Sequence, residues 1–132
     1  FTMDQAVILQ EGSDVTLIAC GEMVKKAVDA AEILAKEGIS ASVIDMYCVK
    51  PLDKKAVVEA AQNTKLVVTV EEHAPFGSMV SQVVAAECSK KVINIALPDA
   101  PVITGNSQEV FAYYGMDGEG IAKSARQALF AE

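Results

Sequence analysis

The chain has 132 residues, the size of one domain, and its 52% hydrophobic and 22% charged residues are the balance of a folded protein. The formal net charge is −7 and Arg126 is the only arginine, which disfavours nucleic-acid binding and excludes an arginine cluster for phosphates. No apolar run approaches the roughly 20 residues of a membrane span.

The cysteines, Cys20, Cys48 and Cys88, are widely separated and form no CxxC pair. With a single histidine they cannot complete a zinc set, and an odd number of thiols indicates a reducing compartment, hence the cytoplasm. The chain starts without the basic and apolar regions of a signal peptide and without an initiator methionine. No linker or low-complexity segment interrupts it. We therefore expect residues 1–132 to be a single domain cut from a longer chain.

Two apolar runs come first, at residues 6–10 and 15–19, and residues 11–14 between them have turn chemistry of hairpin length. This pattern predicts that the first run is an antiparallel edge strand. A helix follows Gly21, because apolar residues recur at helical spacing until Gly38, which is a natural helix stop.

The strand–helix unit then repeats along the chain. Asp53 is a suitable N-cap for the second helix, and Asn63 can supply its left-handed exit. The apolar blocks predict strands at 41–45, 66–70 and 92–96 and helices at 53–62, around 80–88, at 107–114 and at 117–129. Short apolar strands that alternate with helices indicate an α/β fold, a three-layer αβα sandwich. Its sheet would be mostly parallel and five-stranded, with one antiparallel edge strand.

In an open parallel sheet, ligands bind beyond the carboxyl ends of the strands. That rule selects residues 20–22, 45–48, 71–73 and 98–99. If the strands before Cys20 and His73 are neighbours, the two side chains could approach each other as a nucleophile and its base. A cysteine at the end of a buried strand is more often a small core residue, and we favour that interpretation.

A phosphate cradle is disfavoured at these strand ends. Gly21 is a single glycine, and the following Glu22 would repel a phosphate at the start of the helix. The glycines at 115, 118 and 120 are predicted to lie between two helices, not after a strand. The sequence does not exclude a site for an adenine base at these strand ends.

The most distinctive stretch is residues 70–78, in which Glu71, Glu72 and His73 follow a strand. Consecutive carboxylates and a histidine are costly to bury without partners. In a scaffold role, one glutamate would accept backbone N–H groups of the turn. In a functional role, the loop would face a partner domain or an active-site mouth, with His73 available for proton transfer or substrate contact. Placement alone favours the scaffold role.

Several segments together resemble the transketolase C-terminal domain. They are EGSDVTLIACG at 11–21, VID at 43–45 followed by VKPLD at 49–53, VTVEEH at 68–73 followed by GS at 77–78, and YGM at 114–116. They keep the family's order and spacing over nearly the whole chain. Histidine after the paired glutamates is most similar to transketolases divided into two subunits, where this domain ends the shorter one. One departure is Phe76-Gly77-Ser78, where the family has a glycine pair.

The resemblance implies a thiamine-diphosphate enzyme in which the cofactor and a divalent cation (Mg²⁺) are held by two other domains. It implies that this domain packs at a dimer interface and shapes the substrate approach, without binding the cofactor or the metal. Its partners would be the cofactor-binding domains or subunit, in a homodimer or a heterotetramer. The residues expected to form the substrate-approach loop and its surroundings are Glu72, His73, Phe76, Gly77, Asp45 and Tyr47, with His73 as the one candidate catalytic group.

Three functions are therefore considered. The first is an assembly and substrate-gating domain of a transketolase that transfers a two-carbon ketol unit between sugar phosphates in the pentose phosphate pathway, inactive in isolation. The second is the C-terminal domain of a 2-oxoacid dehydrogenase β-subunit or of a deoxyxylulose-phosphate synthase. The third is a regulatory module that binds a nucleotide in the strand-end crevice.

Overall fold

A computed structural model describes residues 7–46, 54–71, 80–85, 90–96 and 115–130. The strands are β1 (Val7–Gln10), β2 (Val15–Ala19), β3 (Ala41–Asp45), β4 (Leu66–Val70) and β5 (Lys91–Ile95). The helices are α1 (Met23–Lys36), α2 (Lys54–Asn63), the helical residues 80–85, here called α3, and α4 (Gly118–Leu129). The predicted helix at 107–114 lies outside the described residues.

The five strands form one sheet in the order β1-β3-β2-β4-β5. The β2–β3, β2–β4 and β4–β5 pairs are parallel, and the β1–β3 pair is antiparallel. One buried cluster joins α1 and α4 to one face of the sheet, and a second joins α2 and α3 to the other. The predicted αβα sandwich with one antiparallel edge strand is confirmed.

The hairpin predicted between β1 and β2 is wrong, because β1 pairs with β3 instead. The turn crosses the amino end of β3, where Ser42 Oγ accepts a hydrogen bond from the Gly12 N–H at 2.7 Å and donates to the Gly12 carbonyl at 3.1 Å. A Cβ atom on Gly12 would lie 2.4 Å from the carbonyl carbon of Ala41. Only glycine lets the turn pass this close to β3.

Strand β2 is central, and all five of its residues are buried. Val15, Leu17 and Ala19 belong to the core under α1 and α4, whereas Ile18 belongs to the core under α2 and α3. Thr16 is also fully buried, and its hydroxyl lies 2.8 Å from the hydroxyl of Thr64. Thr64 in turn donates to the carbonyl of Ala60 at 2.8 Å, so the buried hydroxyls are satisfied.

Helix α1 ends as the sequence predicts. Gly38 has a φ of 81°, its N–H donates to the Ala35 carbonyl, and the N–H of Ile39 donates to the Leu34 carbonyl. This pair of bonds is a Schellman cap, which requires the left-handed conformation that glycine adopts without strain.

Two local predictions about the other helices are wrong. Asn63 is the last residue of α2 itself, and within the described residues only glycines have positive φ. Gly118 and Gly120 lie in the first turn of α4, which agrees with the predicted helix at 117–129 and not with their predicted place between two helices. A Cβ atom on Gly118 would lie 2.7 Å from Cβ of Asp29 on α1, so this glycine lets the two helices approach closely.

Helices α1 and α4 are also joined at their carboxyl ends by an ion pair. The Arg126 guanidinium donates to both carboxylate oxygens of Glu37, at 2.6 and 2.8 Å. These hydrogen bonds from Arg126 lower the pKa of Glu37 below its usual value and raise the pKa of Arg126. Among the described helices, none is long and apolar enough to cross a membrane.

The ion pair predicts a pH dependence of stability. The pKa of Glu37 is lower in the folded state than in the unfolded state. The ion pair therefore stabilises the fold fully above the unfolded-state pKa near 4.5, and this stabilisation is lost as the pH falls through the lower folded-state pKa. We expect Glu37→Gln to lower Tm at neutral pH, and the difference from the wild type to vanish in acid below that window. Thermal unfolding followed by circular dichroism measures this. The exposed Glu32→Gln on the same helix is the control, and a Tm difference of Glu37→Gln that is independent of pH would contradict the assignment.

The close contact of the turn at Gly12 with β3 predicts a second effect on stability. Gly12→Ala places a methyl group against the backbone of β3, and we expect it to lower the free energy of unfolding by about 1–3 kcal/mol. Urea unfolding measures the change. Ser13→Ala removes an exposed hydroxyl in the same turn, and we expect an effect within about 0.5 kcal/mol. Equal stabilities of the two variants would show that the turn does not need glycine.

Candidate functional site

The carboxyl ends of the parallel strands lie level with one another. Ala19 is paired with Asp45 on β3 and with Val70 on β4, and Val70 is paired with Ile95 on β5. The pairing continues one residue further, because the Met46 N–H donates to the Ala19 carbonyl at 2.9 Å and the Glu71 N–H donates to the Ile95 carbonyl at 3.0 Å. The segments after β2, β3, β4 and β5 therefore leave the sheet along one edge, here called the carboxyl edge.

The segment after β2 turns directly into α1. Gly21 has a φ of 64°, and the carbonyls of Cys20 and Gly21 accept hydrogen bonds from Met23 and Val24. Cys20 is half-buried and packs against the core under α2 and α3. This position agrees with the interpretation of Cys20 as a small core residue.

Strands β2 and β4 are neighbours, as the pairing of Cys20 with His73 would require. His73 itself lies outside the described residues, so that pairing stays a prediction.

The segment after β3 contributes one of the predicted site residues. Asp45 is half-buried, with Val7 of β1 on one side and Ala19 of β2 on the other. The next residue, Met46, is fully buried in the core under α2 and α3. Tyr47 lies outside the described residues. Asp45 is therefore placed at the carboxyl edge as predicted.

The segment after β4 begins with a buried carboxylate. Glu71 is 2% exposed, and its Oε2 atom accepts no hydrogen bond, although the residue takes part in a further interaction. Sequence reasoning gave more weight to Glu72 and His73, which lie outside the described residues together with Phe76 and Gly77. A usable signal was the nearly continuous apolar run at 66–70, which is typical of a strand buried on both faces and which Glu71 directly follows.

The described part of the carboxyl edge does not fit a metal-bound diphosphate. Within that part, no group of three or more His, Cys, Asp or Glu side chains could hold a metal ion. The amino end of α1 follows the single glycine Gly21 and carries Glu22, an exposed carboxylate that makes no side-chain cap. A negative charge at this position opposes the binding of a phosphate by the helix dipole.

A concave feature that the sequence did not predict lies between α2 and the β1–β3 edge of the sheet. This cleft of about 490 Å³, here called the α2 groove, is lined by Ile8, Glu11, Gly12, Ser42, Ile44, Lys55, Ala56, Glu59, Ala60 and Asn63. No motif marks it, because its residues come from three separate stretches of the chain, 8–12, 42–44 and 55–63. Only the pairing of β1 with β3 brings Ile8 and Glu11 next to α2.

Comparison with known proteins connects this fold to one family. The model of the family "Transketolase, C-terminal domain" matches residues 4–121. One of the subunits of the apulose-4-phosphate transketolase from Phocaeicola vulgatus is 44% identical over 127 residues, which are 95% of this chain and 41% of that protein. The 1-deoxy-D-xylulose-5-phosphate synthase from Syntrophotalea carbinolica is 43% identical over 92% of this chain and 20% of its own length.

A solved structure agrees with these matches. It is a split-gene transketolase described as an inactive β4 tetramer, with a TM-score of 0.88 and 36% identity over 98% of this chain and 43% of that one. The chain thus spans less than half the length of each of these relatives. Since the family model covers 4–121 of 132 residues, the chain belongs to the transketolase C-terminal domain family.

Proposed function

We propose that this chain is the C-terminal assembly and substrate-gating domain of a transketolase, whose parent enzyme transfers a two-carbon ketol unit between sugar phosphates. The observation that carries the proposal is the 44% identity to one subunit of a transketolase over 95% of the chain. The fold similarity to a split-gene transketolase supports it. The parent assembly would be a homodimer or a heterotetramer with the cofactor-binding domains, and its compartment the cytoplasm.

In this proposal, thiamine diphosphate and its divalent cation are held by other parts of the parent enzyme. The cofactor supplies the nucleophilic ylid for ketol transfer, and protein groups orient it and the substrate. The residues described at the carboxyl edge support a role other than cofactor binding, because Glu22 opposes a diphosphate at the amino end of α1.

This domain would form one side of the path by which the substrate reaches the cofactor. Strands β3 and β4 lie on either side of β2, so the segments that begin after Asp45 and Val70 leave the sheet about 10 Å apart. The residues proposed to line the approach are Glu72, His73, Phe76 and Gly77 after β4, with Asp45 and Tyr47 after β3. The buried Glu71 would fix the base of the first segment.

A second candidate is the same position in a 1-deoxy-D-xylulose-5-phosphate synthase, favoured by the 43% identity to that enzyme. The two candidates differ in the reaction of the parent enzyme and not in the architecture of this domain. Assaying the parent for synthesis of 1-deoxy-D-xylulose-5-phosphate and for ketol transfer between sugar phosphates separates them.

The isolated chain is expected to be inactive. Calorimetric titration of residues 1–132 with thiamine diphosphate and Mg²⁺ should give no saturable binding, and the chain should give no ketol transfer. The assembled parent enzyme is the positive control. Saturable cofactor binding or turnover by the isolated chain would contradict the proposal.

The approach loop is tested by His73→Asn in the parent enzyme. We expect kcat/KM for the sugar phosphate to fall at least about tenfold, because loss of a general acid–base group typically costs 10²–10⁴-fold and loss of a substrate contact somewhat less. A rise in KM alone would indicate substrate contact, and a fall in kcat would indicate proton transfer. Lys65→Gln, at the opposite end of β4, is the control. A kcat/KM within about twofold of the wild type would remove His73 from the site.

A further inference from the structure

The α2 groove lies beside β1, at the opposite edge of the sheet from β5. We propose that it binds an extended segment of another polypeptide, which adds to β1 as a sixth strand and lays a lysine or arginine side chain over the groove. The helix lines the groove with one stripe of residues, from Lys55 to Asn63. Eight helical steps span about 12 Å, which is the length of about four residues of extended chain.

Strand β1 presents an edge suited to such an addition. It ends the strand order, and within the described part of the chain its only strand partner is β3. Natural edge strands are commonly blocked by charged residues or proline, but Val7–Gln10 contains neither. Ile8 is 52% exposed and Leu9 46% exposed, so apolar side chains are open to solvent at this edge. An added strand would gain backbone hydrogen bonds and cover both.

The side chains that line the groove favour the binding of a basic side chain. Ile8, Ile44 and Ala60 form an apolar surface, and Glu11 and Glu59 lie beside it. Lys55 is the one cation among the described lining residues. None of these three charged side chains makes a hydrogen bond or ion pair within the described residues.

A lysine or arginine matches both parts of the groove. Its aliphatic stem would cover the apolar surface while its charged group reached the carboxylates. The net charge of −7 would also attract a basic segment to the chain.

A second copy of this chain is a poorer occupant. Pairing two four-residue strands buries far less than the 1,200 Å² or so of a stable interface. Each copy also carries a net charge of −7, so the copies repel each other. The observations therefore favour a basic segment from a different polypeptide.

The probe is the fluorescein-labelled peptide acetyl-Val-Arg-Val-Arg-Val-amide, titrated with the purified chain and followed by anisotropy. We expect saturable binding with a Kd below about 1 mM. Two matched peptides, one with glutamate in place of arginine and one with backbone N-methyl groups, should each bind at least about tenfold more weakly, since one loses the charge pairing and the other the strand pairing.

Variants locate the site. Glu59→Gln should weaken binding at least about fivefold, whereas Gln62→Lys, which also raises the net charge by one but lies on α2 outside the groove, should stay within about twofold. Four results would overturn the proposal: no saturation, equal binding of the N-methylated peptide, equal affinities of the two variants, or dimerisation of the chain through β1 in place of peptide binding.

Discussion

The position of β2 between β3 and β4, in register with both, is the constraint on which the rest of the structure depends. All five residues of β2 are buried, so the strand requires a helical layer on each face. The apolar residues on its two faces supply both cores, and the buried Thr16 is compatible with this because Thr64 completes its hydrogen bonding. Because both pairings are in register, the neighbouring strands also end at the same level.

Because the strands end at the same level, Cys20, Asp45 and Glu71 lie along one edge of the sheet. This placement bears on function. The described edge holds the half-buried thiol of Cys20 and the carboxylates of Asp45 and Glu71. Membership of the transketolase C-terminal domain family, in relatives more than twice as long, is consistent with a reaction centre in other parts of the parent enzyme.

The sequence predicted the elements well because apolar blocks and local caps depend on near neighbours. The left-handed Gly38 is an example, since its bonds reach only Leu34 and Ala35. The partner of β1 could not be predicted in the same way, because it depends on the contact between Gly12 and Ser42, 30 residues apart. The α2 groove was missed for the same reason. For the candidate site, the sequence predicted only that the strand ends lie along one edge of the sheet, because this follows from the predicted fold.

The proposed role of this domain is to complete the assembly of a larger transketolase. The most direct measurement is ketol transfer by the parent enzyme with its subunit truncated to remove residues 1–132, with the oligomeric state measured in parallel. We expect truncation to abolish assembly and to lower the activity by at least about tenfold. Displacement of the residues that position a substrate can by itself lower the reaction rate about 10²-fold. A truncated enzyme that assembles and retains full activity would contradict this role.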